Sequence, residues 1–173
     1  RKVLQLLSIV VVGIAVALML ISPELVLIFG SPKYREAVYV IPPVAASVFF
    51  IFIYNILSMP QFYYEKTQFL MAASMAAAGA NVVLNFIFIR LFGYIAAGYT
   101  TLACYMLYSV GHYIVSKRIL VNEGIQENLM NPGFLLACSV FLIGASIIFN
   151  LIFLYRILRY ALLLASAGLV FWK

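Results

Sequence analysis

From residue 3 to residue 21 the chain reads VLQLLSIVVVGIAVALMLI, with no charge anywhere in the run. As an α-helix, a run of about 20 apolar residues matches the hydrocarbon thickness of a bilayer. The pattern recurs at residues 37–59, 68–89, 94–115 and 134–155, and in a shorter form at residues 160–172. Hydrocarbon offers no water to satisfy backbone N–H and C=O groups, so a spanning segment must be a helix or part of a closed barrel. Barrel strands alternate apolar and polar side chains, whereas these runs are continuous; helices are therefore expected. Composition points the same way. The chain is 66% hydrophobic and 9% charged, against about 25% charged in a soluble domain.

The expected fold is an all-α, polytopic membrane helical bundle of about six transmembrane helices. Residues 1–118 supply four of them; residues 119–173 supply a polar loop and the final two. The chain begins at Arg1 with no signal peptide ahead of its first span, and reads as part of a longer protein. After the first span, Ser22-Pro23-Glu24 has the signature of an N-cap, a first-turn proline and an acid at a helix N-terminus. A short interfacial helix over residues 23–29 is expected, stopped by Gly30 in the left-handed conformation, with residues 31–36 as a polar loop. In the second span Pro42 and Pro43 bend the helix or mark its true start, and Pro60 loosens its end. Residues 63–67 form a polar loop whose Thr67 caps the third span.

Residues 79–99, GANVVLNFIFIRLFGYIAAGY, punctuate the middle of the chain. Asn81 and Asn85 stand one helical turn apart, Arg90 ends the run, Gly93 breaks it, and Ala96, Ala97 and Gly98 restart it with a face suited to close packing. The middle of the third span, residues 72–80, is almost wholly Ala, Ser, Met and Gly, which also predicts close helix approach. In the fourth span Ala97, Thr101, Tyr105 and Tyr108 share one face.

The formal net charge is +6. Its basic residues lie at the ends of the apolar runs, where they snorkel to phospholipid head groups, and this replaces a nucleic-acid reading. With Arg1 and Lys2 on the cytoplasmic side the basic residues divide six to five, which gives little orientation bias. Cys104 and Cys138 lie inside spans without metal-ligand or redox spacing. No nucleotide-binding loop, catalytic triad or metal-ligand set is legible, so neither an enzyme, a cofactor nor a metal is expected.

Three stretches carry a family resemblance: SPELVLIFGSPKYREA (residues 22–37), ILSMPQFYYEKTQF (residues 56–69) and NVVLNFIFIRLFGYIAAGYTTLACY (residues 81–105). Their order and spacing resemble the C-terminal half of the Wzx-type oligosaccharide flippases, polysaccharide biosynthesis proteins of the multidrug/oligosaccharidyl-lipid/polysaccharide exporter superfamily. The resemblance implies a MATE-like transporter of two lobes, of which this chain is part and whose N-terminal lobe lies outside it. It also implies a bacterial inner (plasma) membrane location. The implied activity is transfer of undecaprenyl-pyrophosphate-linked oligosaccharide across that membrane by alternating access, for surface polysaccharide biosynthesis. Membrane lipids and the lipid-linked oligosaccharide are then the partners. The alternatives are a cation-coupled multidrug exporter or a peptidoglycan lipid-precursor flippase of the same superfamily, and then a membrane-bound glycan polymerase or ligase.

Such a path needs cations near a pyrophosphate, and amides, hydroxyls and aromatics for sugars. Arg90, Lys117 and Arg118 are the cationic candidates, with snorkelling or anionic-lipid contact as the alternative role. Asn81, Asn85, Tyr54, Asn55 and Tyr105 are the polar and aromatic candidates, with interhelical hydrogen bonding or interfacial anchoring as the alternative. Tyr108 and His112 continue the Tyr105 stripe toward the cytoplasmic end. No acid falls inside an expected span.

Overall fold

The computed structural model describes residues 2–125 and 129–153. Its elements run α1 (Lys2–Phe29), a 3₁₀ segment (Pro32–Tyr39), α2 (Ile41–Tyr63), α3 (Thr67–Phe92), α4 (Ala96–Asn122) and α5 (Pro132–Ile152). Among the described residues α1, α2, α3 and α5 are long and apolar enough to cross a membrane. The apolar run expected at residues 160–172 lies outside the described residues, as do Arg1, Arg156, Arg159 and Lys173.

The break expected at Ser22 does not occur. Helix α1 continues through Pro23, so Ser22 is not an N-cap and residues 23–29 are not a separate helix. Proline lacks the N–H that would bond the carbonyl four residues back, here Met19. The Ser22 hydroxyl donates to that same Met19 carbonyl at 2.8 Å, restoring its partner. One consequence is that Glu24 lies on a helix that also spans. At 28 residues α1 is about 42 Å long, more than a bilayer core needs.

Gly30 ends α1 without a left-handed backbone, contrary to expectation: the described glycines with positive φ are Gly93 and Gly124. The requirement at Gly30 is close approach, since a Cβ there would stand 2.5 Å from the Val26 carbonyl oxygen. The expected loop after it is mostly the 3₁₀ segment. Pro42 and Pro43 mark the true start of α2, where first-turn N–H groups have no intrahelical partner. Pro60 is passed within the helix, which ends at Tyr63.

The α2–α3 turn closes by a Schellman pair of bonds, Glu65 N–H to the Phe62 carbonyl at 3.1 Å and Lys66 N–H to the Gln61 carbonyl at 2.8 Å. Glu65 takes the left-handed position with φ 55°. The turn is so tight that Lys66 precedes α3 directly, and Thr67 is the first residue of the helix instead of its cap. The same pair of bonds ends α4, with Gly124 in the left-handed position. Between α3 and α4 Gly93 has φ 77° and ψ 179°, a region open in practice to glycine alone. Asn131 caps α5, its side chain accepting from the Gly133 N–H at 3.0 Å.

Helix α2 is the axis of the bundle. It buries Ala45, Ala46, Phe49, Phe50, Ile53, Ile56 and Leu57, packed with Ala15, Met19 and Leu20 of α1, Leu102 of α4, and Leu142, Ala145 and Phe149 of α5. The small-residue restart of α4 does what its composition predicts. Ala96 and Gly98 are buried, and a Cβ on Gly98 would meet Pro43 Cγ at 2.8 Å and the Val40 carbonyl oxygen at 2.9 Å. Helix α3 behaves differently. It packs mainly on α4 and has no buried residue. Gly79, in its small-residue stretch, has nothing within 4 Å of where a Cβ would stand. At Gly79 the expected close approach is absent among the described residues, and Ser74, Ala77 and Ala78 of the same stretch border a cleft.

Candidate functional site

The cleft lies between α2, α3 and α4, has a volume of about 470 Å³, and is lined by Tyr54, Ser74, Ala77, Ala78, Asn81, Val82, Thr101, Cys104, Tyr105 and Tyr108. Its wall on α3 is the face that repeats at positions 74, 77, 78, 81 and 82, the three-and-four spacing of one helix side. Its wall on α4 is Thr101, Cys104, Tyr105 and Tyr108, with the same spacing. The α3 stretch is central in its helix, and the α4 stretch lies in that helix's N-terminal half. Tyr54 comes across from α2, its ring parallel to Tyr105 with centroids 6.3 Å apart and tilted against Tyr108 at 4.7 Å. The Tyr108 hydroxyl and the Ser74 hydroxyl share a 2.6 Å hydrogen bond that ties α4 to α3 across one end. Among the described residues no charged side chain lines this cleft.

A second polar tie holds the same two helices nearer the Gly93 turn. The Asn85 amide donates to Asn81 Oδ1 at 2.9 Å, and the Thr100 hydroxyl donates to Asn85 Oδ1. Asn81 therefore reaches the cleft, while Asn85 serves the α3–α4 contact.

The remaining expected residues separate. Asn55 is exposed, bonded from its amide to the Ile51 carbonyl at 2.8 Å, and does not line the cleft with its neighbour Tyr54. Arg90 is exposed in the last turn of α3, with its guanidinium carbon 4.0 Å from the centroid of the Phe86 ring. That position lies outside the cleft. Lys117 and Arg118 are exposed near the opposite end of α4. Cleft and cations are thus distinct features of this chain: an uncharged polar centre with basic residues toward the helix ends.

Near Gly93, the Tyr94 hydroxyl donates to Glu36 Oε2 at 3.2 Å, tying the α3–α4 turn to the 3₁₀ segment. Loss of hydration, then the bond to Glu36 and its negative charge, push the Tyr94 phenol above its usual value.

Sequence reasoning missed Ser74, Gln61 and Thr100. Ser74 stands seven residues before Asn81, two helical turns away on the same side, and that spacing was the available signal. Gln61 follows Pro60 and was hidden by the expectation that the helix fails there. Thr100 gave no signal apart from its place beside Gly98.

These features define an α-helical membrane protein whose bundle carries an aromatic, hydroxyl- and amide-lined cleft. No protein-family model matches the chain, and neither a curated protein nor a solved structure does.

Proposed function

We propose that this chain forms part of a flippase that carries lipid-linked oligosaccharide across the bacterial cell membrane for surface polysaccharide biosynthesis. The observation that supports this reading is the cleft. Sugars offer hydroxyls that pair with amides and hydroxyls, and C–H faces that stack on aromatic rings. Tyr54, Tyr105 and Tyr108 supply the rings; Asn81, Ser74 and Thr101 supply the hydrogen-bonding groups. A neutral lining suits an uncharged glycan portion, which must both enter and leave. The basic residues Arg90, Lys117 and Arg118 suit contact with pyrophosphate or lipid phosphate at the membrane surfaces. The fourth helix takes part as a span in this reading: its 27 residues reach about 40 Å, enough to cross. In a two-lobed, MATE-like transporter, the uncovered side of α3 faces the other lobe across the path.

The test is transfer of an undecaprenyl-pyrophosphate-linked oligosaccharide in proteoliposomes containing the full-length protein, read by lectin access to the glycan. Tyr54→Ala and Tyr105→Ala are compared with Tyr63→Ala, which alters an exposed ring outside the cleft. The reading expects transfer by the parent and by Tyr63→Ala, and loss in both cleft variants. Equal transfer by all of them removes the cleft from the path; no transfer by the parent removes the flippase reading.

A further inference from the structure

Helix α4 carries a histidine that the cleft itself does not use. His112 is 1% exposed and faces Gln61 of α2, which is 0% exposed. Gln61 Nε2 stands 2.7 Å from His112 Nδ1 and 3.4 Å from the Leu57 carbonyl. The carbonyl selects the orientation of the amide, because only the NH₂ side can bond it. Nδ1 must then accept, and a neutral ring carries its proton on Nε2. Among the described residues two buried atoms are left without partners by this arrangement, Gln61 Oε1 and His112 Nε2. A buried polar group without a partner is costly, so a buried pair holding two of them is poised for a second arrangement.

Protonation supplies that second arrangement. It makes Nδ1 a donor, which cannot face the donor side of Gln61. Rotation of the amide brings the vacant Oε1 to accept from Nδ1–H and takes Nε2 off the Leu57 carbonyl. The new positive charge arises beside two phenol rings, Tyr54 with its centroid 5.8 Å from the imidazole and Tyr108 at 4.4 Å. These are the titratable groups packed on the ring from α2 and α4. No Asp or Glu occurs in α2, α3, α4 or α5, and the cations Arg90, Lys117 and Arg118 are exposed. Both phenols also line the cleft, and Tyr108 holds α3 through Ser74.

We propose that His112 is a proton-binding site whose occupancy is read by the Gln61 amide and passed through Tyr54 and Tyr108 to the walls of the cleft. Its link to transport rests on the cleft being the substrate path; the proton site and its mechanical link to the cleft do not.

His112 is the one histidine of the sequence, so ¹⁵N-histidine labelling of the full chain in lipid nanodiscs gives a single ring to follow. At neutral pH the ring should show Nε2–H and an accepting Nδ1. On acidification between about pH 8 and 5, where histidines titrate, both nitrogens should become protonated. The Gln61 side-chain amide signals should move with the same midpoint. Cys104 lines the cleft, so its alkylation in a Cys138→Ala background reports the walls. Its rate should change severalfold across that midpoint, beyond the thiol's own pH dependence measured in a matched His112→Gln variant. The proposal is overturned by an Nδ1–H ring at neutral pH, by a ring that stays silent over this range while helicity is retained, or by a titration that leaves Gln61 unmoved. An unchanged Cys104 rate equally removes the link to the cleft. If His112→Gln does not fold, the ring and Gln61 signals of the parent chain still decide the proton site, and Cys104 is referenced to a model thiol. None of these measurements contains a glycan. A proton response without transfer of lipid-linked oligosaccharide therefore refutes the transport reading alone.

Discussion

Gly98→Ala tests the packing that positions α4, and two other glycines supply the control. An added Cβ at Gly98 stands 2.8 Å from Pro43 Cγ, 2.9 Å from the Val40 carbonyl oxygen and 3.2 Å from Val40 Cγ1. Carbon atoms pack without strain at about 3.5–4.0 Å, so α4 must retreat from Pro43 by roughly an ångström. Pro43 is a ring fixed in the first turn of α2, and the Val40 oxygen accepts the Val44 N–H at 3.3 Å. Neither yields by a simple rotamer change. Overpacking of this kind costs about 1–3 kcal/mol. Gly79 and Gly111 are also helical, and a Cβ on either meets nothing within 4 Å. Alanine at those positions removes backbone entropy from the unfolded chain and should stabilise by about 0.4–1 kcal/mol. The sign is therefore expected to differ between Gly98→Ala and the other two. Equilibrium unfolding of the chain in mixed micelles, followed by circular dichroism, measures all three. If Gly98→Ala is as stable as Gly111→Ala, the close α2–α4 approach at Gly98 is wrong.

Ser22→Ala leaves the Met19 carbonyl without the hydroxyl that replaces the missing proline N–H, and should destabilise the chain by about 1 kcal/mol; Ser22→Thr should retain most of the stability in the same unfolding measurement. Glu65→Gly should stabilise by about 1 kcal/mol, because a side chain in the left-handed position is strained there and glycine is not; an unchanged unfolding midpoint argues against that turn. The Tyr94–Glu36 bond should hold up to the ordinary tyrosine value of 10.0 and weaken as pH rises through the higher value in the folded chain. The sign follows from linkage: a group that binds its proton more tightly when folded gives stability that is present at lower pH and lost on deprotonation. Phenolate absorbance and helicity followed together should show that alkaline loss, and Tyr94→Phe should lack it.

The helical character of the chain was legible because hydrocarbon length and backbone satisfaction leave few solutions for apolar runs. The ends of the helices were less legible. Pro23 and Pro60 both suggested a boundary, and both lie inside helices. At Pro23 the reason is a hydroxyl one residue earlier that reaches the orphaned carbonyl, a contact that exists only once the helix has formed. Gly93 breaks the helix as its place predicts, since its conformation is closed to other residues, whereas Gly30 lacks the expected positive φ because close approach and positive φ leave the same residue type in a sequence. The small residues of α3 predict a contact surface. They border a cleft instead, since small side chains permit either outcome and only the position of the neighbouring helices decides.

The site was half legible for a related reason. Tyr54, Asn81 and Tyr105 line the cleft, while Asn55 and Arg90 are exposed outside it. Tyr54 and Asn55 are adjacent in the chain, yet a helix turns about 100° per residue and sends them to different faces. Chemical type therefore selected candidates without selecting a face. Helix α4 shows what does select one. Thr101, Tyr105 and Tyr108 face the cleft, Tyr108 packs on His112, and Ser116 lies one turn beyond. These residues make α4 less apolar, and α4 is the long helix that is not among the four apolar enough to span. The groups that depress its hydropathy are turned largely onto α2 and α3, where they build the cleft and the His112–Gln61 pair. Low hydropathy in this helix therefore reflects polar groups facing its neighbours as well as the exposed Lys117 and Arg118. Substituting the stripe with leucine should make α4 read as a stronger span while destroying the cleft. A Thr101→Leu/Tyr105→Leu/Tyr108→Leu chain should insert with all its helices, as judged by protease protection, and, having lost the Tyr108–Ser74 tie between α4 and α3, should alkylate Cys104 at a severalfold different rate. An unchanged rate of Cys104 alkylation would show that the cleft is not built from that face.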